Sequence, residues 1–116
     1  MPSSPEFRDR MLGLLLPFGP VRARSMFGGF GMFLDEVMFA LIAFDKLYFK
    51  VDGENLPDFQ GFGAEPFTYQ GRTKPIRMSY YQVPDQVMAD PGELAAWAGR
   101  AHAAARRNRK PKREKN

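Results

Sequence analysis

The stretch from Arg24 to Lys50, RSMFGGFGMFLDEVMFALIAFDKLYFK, constrains this chain most, because apolar strands and their turns follow one another in it almost without interruption. The apolar and β-branched content predicts a strand from Val21 to about Phe27, a second from about Phe30 to Leu34 and a third from Val37 to Ala43. Asp35-Glu36 and Phe44-Asp45 supply the tight turns. In the next strand Leu47, Phe49 and Val51 alternate with Lys46, Tyr48 and Lys50, the pattern of one buried and one open face. The third strand is apolar on both faces, so something must cover each side of it, and a partner subunit is one candidate for the second cover.

Helix signals bracket this sheet. Ser3 or Ser4 caps a first helix, with Pro5 in its first turn and Glu6 placed for a capping box. Phe7, Met11, Leu14 and Leu15 form its apolar face, and Pro17, Gly19 and Pro20 end it. Asp52 is expected to cap a short helix through Phe59. Strands follow at Phe67 to Tyr69 and from about Pro75 to Val83. A last helix opens at Asp90-Pro91-Gly92-Glu93, where Glu93 is expected to reach back, and carries the stripe Leu94, Trp97, Ala98, Ala101 and Ala105. The expected fold is α+β, two layers, an antiparallel sheet of about five to six strands with helices mainly on one face. The order is roughly α-β-β-β-β-α-β-β-α.

At 116 residues the chain suits one domain. Its +4 formal charge is unevenly distributed: seven of the seventeen basic residues lie between Arg106 and Lys115, opposed there only by Glu114. Residues 1–105 carry ten basic against twelve acidic side chains and are nearly neutral. The division predicts a single domain over 1–105 and a basic, disordered tail over 106–116, into which the last helix frays near Arg106. The absence of cysteine fits a reducing compartment, and no stretch reads as an export signal or membrane span; the expected location is the cytoplasm.

Residues that invite chemistry mostly have plainer roles. Gly28, Gly29 and Gly31 lead into a strand and lack the Gly-Lys-Ser/Thr of a phosphate loop, so a bulge or a close backbone approach accounts for them. His102, the one histidine, sits in an alanine-rich helix without obvious metal-ligand neighbours and reads as an exposed or half-buried bystander. Asp35 and Glu36 are adjacent in a turn, the wrong placement for a catalytic pair. No catalytic residue, metal ligand or cofactor site is expected. Arg22, Arg24, Tyr48, Lys50, Arg77 and Tyr81 would form a nucleic-acid-binding face if the strand registers brought them together; a merely solvated face is the plainer reading. Arg106, Arg107, Arg109, Lys110, Lys112 and Arg113 would bind phosphates without sequence preference, or simply solubilise the terminus.

Several spaced blocks carry a family resemblance: Met26-Phe27-Gly28-Gly29, Gly31, Met38 to Ile42, Leu47 to Lys50, Asp52, Asn55, Pro66 to Tyr69, Met78 to Tyr81 and Pro84. Together they resemble the N-terminal domain of the TfoX (Sxy) competence-regulator family, over about Val21 to Ala105. The resemblance implies a two-layer α+β domain. It also implies a non-enzymatic role in regulating DNA-uptake genes through protein contacts, alongside the cyclic-AMP receptor protein. Competence regulators of this family carry a second, C-terminal domain where this sequence has eleven residues rich in basic side chains, so a family member lacking that domain is expected. The expected partners are a transcription regulator or other protein and, through the tail, nonspecific DNA, with no membrane partner. The alternative is a homodimerisation domain with no nucleic-acid role.

Overall fold

A computed structural model describes residues 2–109. Helix α1 (Pro5–Leu14) leads into a four-stranded meander, β1 (Arg22–Met26), β2 (Gly29–Leu34), β3 (Val37–Ala43) and β4 (Lys46–Lys50). Helix α2 (Leu56–Gln60), strands β5 (Pro66–Gln70) and β6 (Pro75–Gln82), and helices α3 (Asp85–Met88) and α4 (Pro91–Arg107) complete the chain. The six strands form one antiparallel sheet in the order β1-β2-β3-β4-β6-β5, leaving β1 and β5 at the edges.

The caps act locally, as the sequence suggests. Ser4 Oγ accepts from Phe7 N at 3.1 Å, and Asp90 Oδ1 accepts from Gly92 N and Glu93 N, both at 3.1 Å. Glu93 does not reach back; its carboxylate accepts from Trp97 Nε1 one turn ahead. Helix α2 begins later than expected, with Asn55 at its N-cap, because a turn over Asp52 to Asn55 intervenes. Asn55 is buried and knits that turn, accepting from Asp52 N at 2.8 Å and donating to the Lys50 carbonyl at 3.0 Å.

All four helices contribute to one core against one face of the sheet. Met11 and Leu15, Phe59, Val87, and the α4 stripe of Leu94, Trp97, Ala98, Ala101 and Ala105 pack with Met32, Ile42, Leu47, Phe49 and Val51. A bulge between Met32 and Phe33 lets both Phe39 and Ala40 of β3 join this core. The opposite face holds a second cluster made of strand residues alone, Leu41, Ala43, Tyr48, Phe67 and Tyr80. β3 is thus apolar on both faces, with helices, among the described residues, over only one of them.

Three hairpin turns join β1 to β4, and each has positive φ at both central residues: Phe27-Gly28, Asp35-Glu36 and Phe44-Asp45. That left-handed pair matches the strand twist, yet five of the six residues carry a Cβ that disfavours it by about 1–2 kcal/mol apiece. Glycine relieves that cost at φ 66 while adding chain entropy to the unfolded state. Glu36→Gly, which creates the favoured Asp-Gly pair, is therefore expected to stabilise the fold by about 0.5 kcal/mol. Glu36→Val is expected to destabilise it, because a branched Cβ suits positive φ least. Paired thermal melts check both signs.

Candidate functional site

The register decides which side chains share the open face. Arg22 opposes Phe33, which opposes Met38, and Arg24 opposes Gly31, which opposes Leu41 and then Tyr48. Lys50 opposes Tyr80. Arg22, Arg24, Tyr48 and Lys50 therefore lie on one face, as their parity suggests. Arg77 and Tyr81 do not join them: Tyr81 opposes Phe49 and packs on the helix-side core, and Arg77 shares its parity. Pairing Lys50 with Tyr80 puts the even-numbered residues of β6 on the open face, and one step of register would have reversed this.

The face is also less polar than the four residues suggest. Its centre is a hollow of about 390 Å³ lined by Met26, Phe27, Met38, Leu41, Phe67, Tyr69 and Met78. Both edge strands contribute, Met26 from β1 and Phe67 and Tyr69 from β5, so the sheet curls over its open side. Phe27 is 83% exposed on the rim and Tyr69 46%. Gly31 forms the floor between two methionines; a Cβ there would lie 3.1 Å from the sulfur of Met38 and the Cε of Met26. That close approach explains one glycine of the Gly28-Gly29-Gly31 group, and the positive φ of Gly28 in its turn explains another. Spacing alone predicts neither the methionine floor nor the hollow, because the lining comes from strands distant in sequence.

The polar groups are held rather than poised for chemistry. Arg24 lies over the Phe33 ring, 5.6 Å from its centroid. Lys50 donates to Ser79 Oγ and sits 5.3 Å from the Tyr80 ring, and burial lowers its pKa against the opposing pull of Asp52. Burial raises Tyr48 and pushes Tyr80 up to about 12, so both phenols stay neutral. His102 is half-buried beside Phe18 and Phe39, and its Nε2 donates to the Leu34 carbonyl at 2.8 Å, tying α4 to β2. Among the described residues no group of three or more His, Cys, Asp or Glu is arranged to hold a metal ion, and no helix is long and apolar enough to cross a membrane.

Of the basic C-terminal candidates, Arg106 and Arg107 lie in the last turn of α4 and Arg109 follows it; Lys110, Lys112 and Arg113 lie outside the described residues. Arg107 is docked. Its Nε and Nη2 donate to the two carboxylate oxygens of Asp52 at 2.7 and 2.9 Å, and Asn108 Nδ2 donates to the same carboxylate at 3.0 Å. The helix therefore continues past residue 105, and Arg107 is a bolt between its end and the β4–α2 turn. Asp52, expected as a helix cap, spends its carboxylate mainly on this bidentate pair.

The sequence pattern of the TfoX N-terminal domain matches residues 13–105. DNA transformation protein TfoX1 of Aliivibrio fischeri is 29% identical over 107 residues, covering 92% of this chain and 51% of that protein. DNA transformation protein TfoX of Haemophilus influenzae is 35% identical over 72 residues, covering 60% of this chain and 33% of that protein. The chain thus spans about half the length of the first relative and a third of the second.

The Arg107 guanidinium, bonded to both oxygens, holds the Asp52 carboxyl far below its ordinary value of 3.8. A depressed carboxylate pKa contributes stability that is fully present above the unfolded value and is lost as pH falls toward the folded one. Asp52→Asn is therefore expected to melt below the parent protein at pH 7, with the gap shrinking steadily below about pH 4. Melting curves of both proteins across that range check it.

Proposed function

The chain belongs to the TfoX N-terminal domain family, and on that premise we propose that it is a non-enzymatic regulatory module of DNA transformation. It acts in the cytoplasm, through protein contacts, on the expression of DNA-uptake genes. The observation that carries this reading is the alignment of 92% of the chain with a protein named for DNA transformation. The open face supports it: methionine, phenylalanine, leucine and tyrosine line the hollow, side chains that bind apolar surface. The partner is a transcription regulator or another protein of the same pathway.

Contact with DNA is a secondary, sequence-independent part of the proposal. Arg107 is engaged by Asp52, which leaves Arg106, Arg109, Lys110, Lys112 and Arg113 as the cations for phosphate neutralisation. A homodimer with no nucleic-acid role is the second reading, favoured by the uncovered apolar cluster on the open face.

Deleting the gene in its native host is expected to lower transformation frequency and the transcripts of DNA-uptake genes; unchanged levels of both would refute the regulatory reading. For the DNA contact, fluorescence anisotropy compares the full chain with a 1–109 truncation that keeps the Asp52–Arg107 pair. With about five phosphates neutralised, log affinity falls against log salt with a slope near −4.5, and fourfold more salt weakens binding roughly several hundredfold. The truncation is expected to lose most of that slope. Sedimentation at low micromolar concentration separates the second reading, which requires a dimer.

A further inference from the structure

The uncovered hollow has the chemistry of a peptide groove, and the face around it is selective about what fills it. The strand positions of this face carry Arg22, Arg24, Lys46 and Lys50 and no carboxylate; Asp52, in the turn after β4, acts on Lys50, and the acidic residues Asp35, Glu36, Asp45 and Glu65 belong to turns and to the approach to β5. Its centre is apolar and methionine-rich, a lining that repacks around varied apolar anchors. At about 390 Å³ the hollow is large enough for anchoring side chains of a partner.

Charge discriminates among the occupants. A second copy of the chain would bring the same cations to a self-complementary contact, setting like charges against one another as the hollow closes. The chain's own residues 110–116, Lys-Pro-Lys-Arg-Glu-Lys-Asn, are also basic and short of apolar anchors. A nucleic acid would satisfy the cations but would meet methionine and leucine at the centre, where no group reads a base edge. A helix with apolar residues on one face and carboxylates flanking them satisfies both the centre and the cations.

We propose that the open face, with the Met26, Met38 and Met78 hollow at its centre and Arg22 and Arg24 beside it, docks an acidic amphipathic helix of a partner protein. The inference rests on the reading that the chain works through protein contacts, and it supplies the surface and the chemistry of the partner. Phe27, standing on the rim, is the exposed apolar contact, and Arg24 is the charge set to meet a carboxylate.

The test is a methyl NMR titration of the full chain, ¹³C-labelled at methionine, with two synthetic peptides. One is a helix with leucines at i, i+3, i+4 and i+7 and glutamates on its polar face; its twin carries lysine for each glutamate. The acidic peptide is expected to shift the Met26, Met38 and Met78 methyls saturably and to leave the buried Met11 and Met32 unmoved. The lysine twin is expected to bind about tenfold more weakly, and Arg24→Glu to weaken the acidic peptide by about the same factor. Phe27→Asn is the control for folding: asparagine suits φ 51, so the melting temperature is expected to hold or rise while peptide affinity falls.

Equal binding of the two peptides, or no shift of the three methyls, overturns the proposal. The same three methyls responding more strongly to duplex DNA, or to dilution of the protein alone, overturns it in favour of a nucleic-acid face or a homodimer. A chain carrying Phe27→Asn and Arg24→Glu that fully restores DNA-uptake transcripts to a deletion strain also overturns the groove and leaves the regulatory reading standing. An intact groove in a strain whose uptake genes ignore the deletion has the opposite meaning.

Discussion

The close approach of α4 to the centre of the sheet underlies the rest of the structure. Ala98, Ala101, Ala104 and Ala105 are buried along the helix, and their small side chains let it lie against β3 and β4. Burying Leu94 and Trp97 beside them stabilises the contact by about 1.5–3 kcal/mol for each fully covered large side chain. The helix is long enough to be anchored at both ends. Asp90 caps its start, and Arg107 and Asn108 fasten its end to Asp52. His102 adds a tie to the end of β2 midway.

Cover on one side leaves the other to be explained. The open-face residues of β3, Met38, Leu41 and Ala43, belong to an apolar cluster that no helix roofs among the described residues. The cluster is sheltered instead by the curl that brings Met26 and Phe27 toward Phe67 and Tyr69 from opposite edges of the sheet. The shelter is incomplete, and Phe27 projects from it at a turn whose backbone already disfavours a side chain. An exposed phenylalanine at positive φ costs solubility and conformational energy together, which is understandable where its ring serves a contact.

Much of this fold is legible in the sequence because its signals are local. The alternation of Leu47, Phe49 and Val51 with Lys46, Tyr48 and Lys50, the Asp35-Glu36 and Phe44-Asp45 turns, and the Asp90 cap each specify their structure within a few residues. The doubly apolar β3 is likewise legible, as is the demand for cover that it makes on both sides of the sheet. Arg77 and Tyr81 take the helix side, apart from the other four candidates, because the partner register of β6 is a long-range property, set by its pairing with β4. Asp52 looks like a helix cap within its own segment, but its carboxylate is claimed by an arginine 55 residues away. The hollow escapes any local reading, since its lining is drawn from four strands and one turn.

One face of this sheet is roofed by helices and, among the described residues, the other lies open around three methionines. Solvent paramagnetic relaxation of the methionine methyls, measured on the isolated full chain with a soluble gadolinium chelate, tests it most directly. Strong relaxation is expected at Met26, Met38 and Met78, with protection of Met11 and Met32. Protection of Met38 and Met78 equal to that of Met32 would contradict it, because the face would then be covered.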